Sequence, residues 1–473
     1  MLKNGEVNPA EWWIPGAEEN KIDGVCEITQ DGRIIPRLHR NPFRSKDSAS
    51  LMLEPFENIP LVHGKVFGTP VTLIDCRVIP RKSGLTPHAV IELQPWIALE
   101  GLLLDTDDLM ISKAEVRLRG QREWASWEAW KHGDRSSGLK SLIYSPPEPR
   151  PTSIPGGTLT IDDSSTFRSQ NGEISVKSQC KFVVQLDSPI DIREFLPRYI
   201  YPLEVLMSLT IASMAPIEHL GVASDHWESA TLAQLRPNWL PVRFGRSGPR
   251  NEKTRINADD VLFYLNDCRW EELGERIYTV IPQWEYVIAQ WSTLIDKQYR
   301  WPVPRFLTAV TAIEAVDRIL HPDEQSDRAA EYREIADEVD TALRSIKRLN
   351  SKRRARIKNL IATAYEPSLE DRLKRLSDRV ESGMADLNLP DHWTNRVARL
   401  RNQVSHGLSA AHYLATDHRA AQVGEAILLH LLESLFLHEL GLNPEELGKV
   451  MERRFRLRGR ISVIAQGFGS LLN

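Results

Sequence analysis

The sequence predicts an α+β protein in which a β-rich N-terminal domain is followed by an all-helical C-terminal domain. Two observations support this fold class. Up to about residue 190, short runs of alternating apolar and polar residues are separated by prolines and glycines. From about residue 259 onward, apolar residues recur every three or four positions, which is typical of amphipathic helices. The predicted domains are therefore residues 1–258 and 259–473.

The N-terminal runs are rich in β-branched residues, which favour strands. The predicted strands are Ile22–Thr29, Leu61–Phe67, Pro70–Ile79, His88–Leu93, Ala114–Leu118, Thr158–Ile161 and Gln179–Leu186. One helix is expected over Ile192–Met214, where the apolar residues share one helix face. Residues 216–255 have a mixed pattern, and their fold is left open.

The C-terminal domain is predicted to be a bundle of helices. Their expected ranges are Arg276–Asp296, Pro302–Leu320, Asp327–Ile361, Leu369–Val380, Trp393–Val404 and Tyr413–Leu440. Ser368 is expected to cap the fourth of these, which has the acidic residues Glu370 and Asp371 in its first turn. Arg453–Arg460 alternates arginine with apolar residues and is expected to form a strand or a packed tail.

Composition and charge exclude several classes of protein. The sequence has no uninterrupted run of about 20 apolar residues, so no membrane span or membrane partner is expected. Its N-terminal residues lack an apolar signal core, and its four cysteines are far apart, so we expect a cytoplasmic protein without disulfides or a zinc site. The net charge of −4 argues against a protein that coats nucleic acid non-specifically. A nuclease with a local basic patch remains compatible with it.

An arginine, an asparagine and a histidine lie close together near the end of a predicted helix, in the string Arg401-Asn402-Gln403-Val404-Ser405-His406. Asn402 and His406 are four residues apart and share one helix face. RNA cleavage by attack of the 2′-hydroxyl needs a base for its proton and a cation for the crowded phosphate. Histidine exchanges protons near neutral pH, and arginine binds phosphate oxygens while it stays charged. The string therefore contains the groups that cleavage without a metal requires.

The spacing of Arg401 and His406 alone is also compatible with a purely structural role for the two residues. An arginine five residues before a histidine occurs by chance about once in such a chain. A histidine near a helix end commonly caps the helix or binds a carbonyl oxygen. His406, His412 and His418 recur every six residues, but six residues turn a helix by about 240°, so the three do not converge on a metal.

The residues around this string, and segments elsewhere in the chain, favour the functional interpretation. Arg-Asn-x-x-x-His-Gly between two apolar helices resembles the signature of HEPN domains. Two other segments are similar to the first and middle helices of that fold. Three further segments are similar to the N-terminal domain of ApeA-type proteins. Proteins of that type join such a domain to a C-terminal HEPN domain and act in bacterial defence against phage. These segments are Arg305–Ala315 and Ser368–Leu376 for the helices, and Trp12–Gly16, Ile22–Gly24 and Gly68–Cys76 for the N-terminal domain.

The resemblance implies a metal-independent endoribonuclease whose products carry a 2′,3′-cyclic phosphate and a 5′-hydroxyl. It implies a homodimer in which two copies of the motif form one site for RNA, with tRNA as the expected class. In this site His406 is the general base or acid, Arg401 is the phosphate-stabilising cation and Asn402 is an auxiliary polar group. Glu314 orients Arg401 or is an ordinary solvent-facing or helix-pairing glutamate. The N-terminal domain is expected to sense a phage-derived trigger.

A basic segment lies upstream of the motif. Residues 347–358 contain seven basic residues in twelve. Lys352, Arg353, Arg354 and Arg356 are candidates for contact with an RNA backbone. The alternative is a solvated helix face whose charge is balanced by the acidic residues of Glu331–Asp340.

Two functions from other classes compete with the nuclease. The first is a non-catalytic HEPN dimer that acts as a binding scaffold, in which Arg401 and His406 only stabilise helix ends. The second is a β-domain that binds a carbohydrate or another ligand and carries a helical oligomerisation tail. Neither alternative predicts RNA cleavage.

Overall fold

The chain forms two compact units, Met1–Asn266 and Asp267–Asn473. The structure is a computed structural model. It describes residues 2–39, 58–80, 91–127, 130–132, 142–145, 147–170, 173–228, 239–245, 256, 260–296, 301–346, 348–362, 366–406 and 413–458. The predicted domain boundary after residue 258 lies eight residues before this division.

The N-terminal unit is built mainly of β-strands, in agreement with the predicted fold class. Its strands within the described residues are β1 (Val7–Trp13), β2 (Ile22–Ile28), β3 (Ile34–Leu38), β4 (Asn58–Val66), β5 (Thr69–Pro80), β6 (Ile91–Gln94), β7 (Ile97–Glu100), β8 (Met110–Leu118), β9 (Trp130–His132), β10 (Leu142–Tyr144), β11 (Arg150–Ile154), β12 (Gly157–Gln170), β13 (Glu173–Asp191), β14 (Ile217–Ala223) and β15 (Leu240–Phe244). Each predicted strand overlaps one of them, while β1, β3, β7, β9, β10, β11, β14 and β15 were not predicted.

Six of these strands close into an antiparallel barrel. Its order is β4-β1-β2-β3-β6-β5, and β5 pairs with β4 again to complete the ring. Alternate residues point inward and form an apolar core, because side chains alternate between the faces of a strand. Trp12 is fully buried in this core and faces Gly64 on β4. A Cβ atom on Gly64 would lie 2.2 Å from the Trp12 ring, so this pairing requires glycine.

Strand β5 also connects the barrel to the rest of the sheet. Its second edge pairs with β7 through Val71–Ile74 and with β6 through Arg77–Pro80. Asp75, between these two stretches, has a φ of 52°, so the strand bends where it changes partner. Beyond β7 the sheet continues through β15, β14, β8, β13 and β12 to β11.

Short helices accompany the sheet of the N-terminal unit. They are α1 (Gln121–Ala125), α2 (Ile192–Phe195) and α3 (Tyr201–Ile211), and a π-helical turn, Leu196–Ile200, joins the last two. The helix predicted over Ile192–Met214 is therefore present, with an irregular turn that contains Pro197. Trp124 of α1 packs on Phe182 of β13, with ring centroids 5.8 Å apart.

The C-terminal unit is helical in the residues that the structure describes, also as predicted. Its helices are α4 (Trp270–Gln283), α5 (Glu285–Ile295), α6 (Pro302–Leu320), α7 (Asp323–Leu343), α8 (Ser351–Ala362), α9 (Leu369–Arg379), α10 (Glu381–Met384), α11 (Trp393–His406), α12 (Tyr413–Glu439) and α13 (Pro444–Arg458).

Three predicted elements of this unit differ from the observed ones. The helix expected over Arg276–Asp296 is divided at Trp284, two residues after Pro282, which cannot donate a backbone hydrogen bond. The charged helix expected over Asp327–Ile361 is divided into α7 and α8. The strand or tail expected at Arg453–Arg460 is wrong as far as Arg458, because α13 continues to that residue.

Helix α12 lies at the centre of the helical unit and packs against α6. A Cβ atom on Gly424 of α12 would lie 2.7 Å from the Phe306 ring of α6, so the glycine allows the two helices to approach closely. The segment His418–Glu439 is long and apolar enough to cross a membrane, but 83% of its most apolar window is buried in the protein. This burial is that of a core helix.

Candidate active site

Helix α11 carries the candidate catalytic residues. Trp393, Val397, Leu400 and Val404 are buried and follow each other at three- and four-residue spacing, so they anchor one face of the helix in the core. Asn402 is exposed and Arg401 is half-buried. The helix ends at His406, whose side chain is outside what the structure describes. One uninterrupted helix thus contains Arg401, Asn402 and His406.

Arg401 contacts two of the other predicted site residues, Glu314 and Asn402. Its Nη2 atom lies 3.7 Å from Oε1 of Glu314 on α6, and its Nη1 donates to Oδ1 of Asn402 over 3.2 Å. Consecutive helix residues point about 100° apart, but the long arginine side chain reaches back to the asparagine. The side chains of Arg401 and Glu314 are 37% and 24% exposed, so the guanidinium is held loosely and stays accessible to a ligand.

An open cleft of about 470 Å³ lies beside Arg401 and Asn402. Its walls come from three parts of the helical unit: the second half of α6, the start of α9 with the residues before it, and the exposed face of α11. The charged residues that line it are Glu314, Arg318, Glu366, Glu370, Arg372, Arg399 and Arg401. The cleft therefore has more arginines than glutamates.

Hydrogen bonds fix the start of α9 as one wall of this cleft. The Ser368 hydroxyl accepts from the Asp371 backbone N–H over 3.2 Å, and the Asp371 carboxylate accepts from the Ser368 backbone N–H. This is the capping arrangement that the sequence predicted. Across the cleft, Asn395 Nδ2 of α11 donates to Glu370 Oε2 over 2.7 Å. The wall is thus attached to the helix that carries Arg401.

A buried carboxylate, which was not among the predicted site residues, joins α6 to α9. Asp317 has no exposed surface, and it accepts hydrogen bonds from Arg372 Nη1 at 3.0 Å and from two nitrogens of Arg375. Arg372 also donates to the Pro367 carbonyl over 3.1 Å and lines the cleft. The sequence places Asp317 one turn after Glu314 and the two arginines three residues apart on one face of α9, but it does not show that they pair.

The basic candidates lie on α8 and do not line this cleft. Lys352, Arg353 and Arg356 are exposed, and Arg354 is half-buried. Lys352 and Arg356 border a second, shallow depression of about 410 Å³ beside Leu360, which is 62% exposed. The structure therefore brings Arg401, Asn402 and Glu314 together and leaves the four basic residues outside that group.

The described residues contain no group of three or more His, Cys, Asp or Glu side chains that could hold a metal ion. His412 lies outside the described residues. The cleft itself is lined by arginine, glutamate and amide groups. Such groups suit the binding of a phosphate and the exchange of hydrogen bonds with a sugar or a base.

Residues 10–272, more than half of the chain, match the family model of ApeA N-terminal domain 1. The chain belongs to the ApeA family. Residues 307–446 of this ApeA-family protein match the model of the Apea-like HEPN domain. The second range begins in α6 and ends in α13, and it includes Glu314, Arg401, Asn402 and His406. No curated protein matches the chain.

The two matches confirm the resemblance seen in the sequence, both for the N-terminal domain and for the helical one. The helical unit of this ApeA-family protein is thus a domain of the HEPN type, a type with nuclease-like activity. Its cleft and the string from Arg401 to His406 lie within the matched range.

Proposed function

We propose that this protein is a metal-independent endoribonuclease of bacterial anti-phage defence, with Arg401, Asn402 and His406 in its active site. The observation that carries the proposal is the position of Arg401 and Asn402 at an open, arginine-rich cleft, on a helix that ends at His406. HEPN domains are in general RNases, which supports a nuclease activity for this one.

In the proposed reaction the 2′-hydroxyl of a nucleotide attacks the adjacent phosphate. His406 takes the hydroxyl proton as a general base, or returns a proton to the leaving 5′-oxygen as a general acid. The Arg401 guanidinium binds the phosphate oxygens, where negative charge increases in the transition state. Asn402 holds a phosphate or ribose oxygen with its amide. The bond from phosphorus to the 5′-oxygen breaks, which leaves a 2′,3′-cyclic phosphate and a 5′-hydroxyl.

Glu314 has a positioning role in this proposal. Its carboxylate lies 3.7 Å from Nη2 of Arg401, which is within ion-pair distance but too long for a strong hydrogen bond. Such a contact limits the rotamers of the arginine without neutralising it fully, because both side chains remain accessible to water. The guanidinium is then oriented toward the cleft before RNA arrives.

The proposed assembly is a cytoplasmic homodimer in which two HEPN domains present their motifs to one RNA. The expected substrate class is structured RNA such as tRNA. The N-terminal domain senses a phage-derived trigger and restrains the nuclease until then, since an unregulated cytoplasmic RNase would be toxic. Lys352, Arg353, Arg354 and Arg356 supply additional contacts to the RNA backbone from α8.

The experiment that tests this function is the analysis of RNA ends produced by the purified and activated full-length protein in the presence of EDTA. Transesterification predicts 5′-hydroxyl ends, which a polynucleotide kinase labels without prior phosphatase treatment, and 2′,3′-cyclic phosphates. The same RNA with 2′-O-methyl groups must remain intact, because it lacks the attacking hydroxyl. Cleavage of the methylated RNA would overturn the mechanism. So would a protein that cleaves unmodified RNA without EDTA but not in its presence.

The scaffold alternative predicts a different result. A non-catalytic HEPN dimer leaves RNA intact at every protein concentration, and overproduction of the wild type and of His406→Ala is then equally harmless to cells. A ligand-binding β-domain with a helical tail likewise cleaves no RNA. We expect toxicity from the wild type once it is activated, and none from His406→Ala.

A further inference from the structure

Arg399 is an exposed arginine on α11 that lines the same cleft as Arg401 and Asn402. The inference drawn from it rests on the proposed function, because it concerns how the cleft holds RNA. Arg399 is not part of the string from Arg401 to His406. Its surroundings nevertheless distinguish it from the other arginines of the cleft.

The cleft contains four arginines and three glutamates, and most of them are paired with one another. Arg401 lies beside Glu314, while Arg318 and Arg372 lie 4.0 Å and 3.6 Å from Glu366. Glu370 accepts a hydrogen bond from the Asn395 amide. Among the residues that the structure describes, no carboxylate lies within ion-pair distance of Arg399. Within the part of the chain that the structure describes, Arg399 is thus the arginine of this cleft that lies beside no carboxylate.

The spacing along α11 aligns Arg399 with the proposed site. Residues 395, 399, 402 and 406 follow one another by four, three and four positions, so they form one stripe along a helix face. Neighbours at this spacing lie about 5–6 Å apart at their Cβ atoms. A single-stranded RNA that places one phosphate at Asn402 and His406 therefore passes Arg399 with a neighbouring phosphate.

We propose that Arg399 binds a second phosphate of the RNA, next to the phosphate that is cleaved. Its guanidinium donates two parallel N–H bonds to the oxygens of that phosphate. The interaction forms in the bound substrate and persists in the transition state, so it lowers KM and leaves kcat nearly unchanged. Arg401, in contrast, acts on the phosphate at which charge develops, so its loss reduces kcat.

The test is equilibrium binding of a short fluorescent single-stranded RNA to the full-length protein at several salt concentrations. The His406→Ala variant serves as the parent, so that the RNA stays intact. In this background Arg399→Gln should weaken binding about tenfold, as expected for the loss of one charge-assisted contact. It should also reduce the slope of log K against log salt by about 0.7, the contribution of one phosphate contact on a single strand.

Two further variants control for charge and for folding. Lys374→Gln removes one positive charge from an exposed residue of α9 that does not line the cleft, and it should leave affinity and slope unchanged. Arg399→Lys keeps the charge but loses the planar fork, so it should restore the slope and only part of the affinity. Arg399→Gln in the His406-containing protein should raise KM about tenfold with kcat within a few-fold of the wild type.

The outcomes separate this inference from the proposed function. If the wild type cleaves RNA while Arg399→Gln binds and cleaves as well as its parent, the inference is wrong and the nuclease assignment stands. If Arg399→Gln and Lys374→Gln weaken binding equally, the effect is one of overall charge and the inference is again wrong. If the wild type never cleaves RNA but Arg399→Gln still lowers affinity and slope, the phosphate site stands and the nuclease assignment fails. RNA that does not bind at all contradicts both.

Discussion

Asp317 shows how a single buried residue determines the shape of the candidate site. Its carboxylate is fully buried on α6 and is neutralised by Arg372 and Arg375 of α9. Arg372 is itself 3% exposed, and its Nε atom donates a hydrogen bond to the Pro367 carbonyl, which belongs to a residue that lines the cleft. Glu314 lies one turn before Asp317 on the same helix. The ion pairs of Asp317 thus hold the wall with Glu314 against the wall with Ser368.

Asp317→Asn should destabilise the helical unit by about 3–5 kcal/mol, because it removes the buried negative charge and leaves the buried Arg372 guanidinium only the partly exposed Glu366 as an ion-pair partner. Calorimetry of the full-length protein should therefore show a large decrease in the Tm of the helical unit. Asp378→Asn makes the same chemical change at an exposed position of α9 and should leave the Tm unchanged. Equal Tm values for the two variants would show that the buried pairs contribute no net stability.

The sequence predicted which candidate site residues share a helix, and it missed a side chain whose partners are distant along the chain. Arg401, Asn402 and His406 could be placed on one helix because they lie within one and a half turns of each other, and their catalytic roles stay a prediction. The role of Asp317 could not be predicted, because its partners lie 55 and 58 residues away. Only the packing of α6 on α9 gives the buried carboxylate its role.

Helix boundaries show which local signals decide an element. The single charged helix predicted over Asp327–Ile361 is two helices, although no glycine or proline interrupts it. The second helix begins because Asn350 Oδ1 accepts from the Arg353 backbone N–H over 2.9 Å, and an ion pair joins Lys358 to Asp337 across the pair. An asparagine can continue a helix or cap one, so the sequence alone did not decide between the two.

In helix α13 the structure has a helix where the sequence predicted another kind of element. The alternation of arginine and apolar residues after Arg453 has the period of a strand, and a strand or tail was expected. The segment instead extends a helix whose start is strongly specified, with Pro444 at its first position and Glu445 and Glu446 in the first turn. A helix that has begun propagates more easily than a new element forms.

Helix α3 of the N-terminal unit carries an ionisable group with an altered pKa. Burial among apolar residues raises the pKa of Glu204 from 4.5 to about 7. In the residues that the structure describes, its carboxylate has no hydrogen-bond or ion-pair partner. The protonated form favours the fold, so this contribution is fully present below about pH 4.5 and is lost as the pH rises to about 7.

Glu204→Gln should therefore stabilise the N-terminal unit more at pH 8 than at pH 5, since glutamine stays neutral at both. We expect the Tm at pH 8 to exceed that of the wild type by at least about 2–4 °C, the shift that 1 kcal/mol produces in a domain of this size. Glu194→Gln, at an exposed position of α2, is the matched control. A gain that does not depend on pH would contradict the raised pKa of Glu204.

The whole molecule joins two units of different architecture, and the sequence predicted both classes because the period of the apolar pattern changes from two to about three and a half. It could not predict that β6 closes the barrel by pairing with both β3 and β5. Such closure depends on pairings between strands that are far apart in the sequence. It also could not predict the bend at Asp75 where β5 changes partner.

The reactivity of the four cysteines tests how well each thiol is buried in the two units. Cys26, Cys76 and Cys180 are buried in the N-terminal unit, and burial raises the pKa of each thiol, to about 12 for Cys26. Cys268 of the helical unit is partly exposed. Iodoacetamide at pH 8 should therefore modify one thiol per native chain, at Cys268, and all four after denaturation. Mass spectrometry that finds a second modified thiol in the native protein would show that the N-terminal unit is less closed than described.

The assignment of the whole molecule as a nuclease depends most on His406, and one rate measurement tests it directly. Single-turnover cleavage of RNA in EDTA should be fast for the activated wild type and slower by at least about 100-fold for His406→Ala, the effect expected when a general base is lost. His392→Ala removes an exposed histidine just before the same helix and should cleave at the wild-type rate. If His406→Ala is folded and cleaves as fast as the wild type and His392→Ala, His406 is not the catalytic histidine.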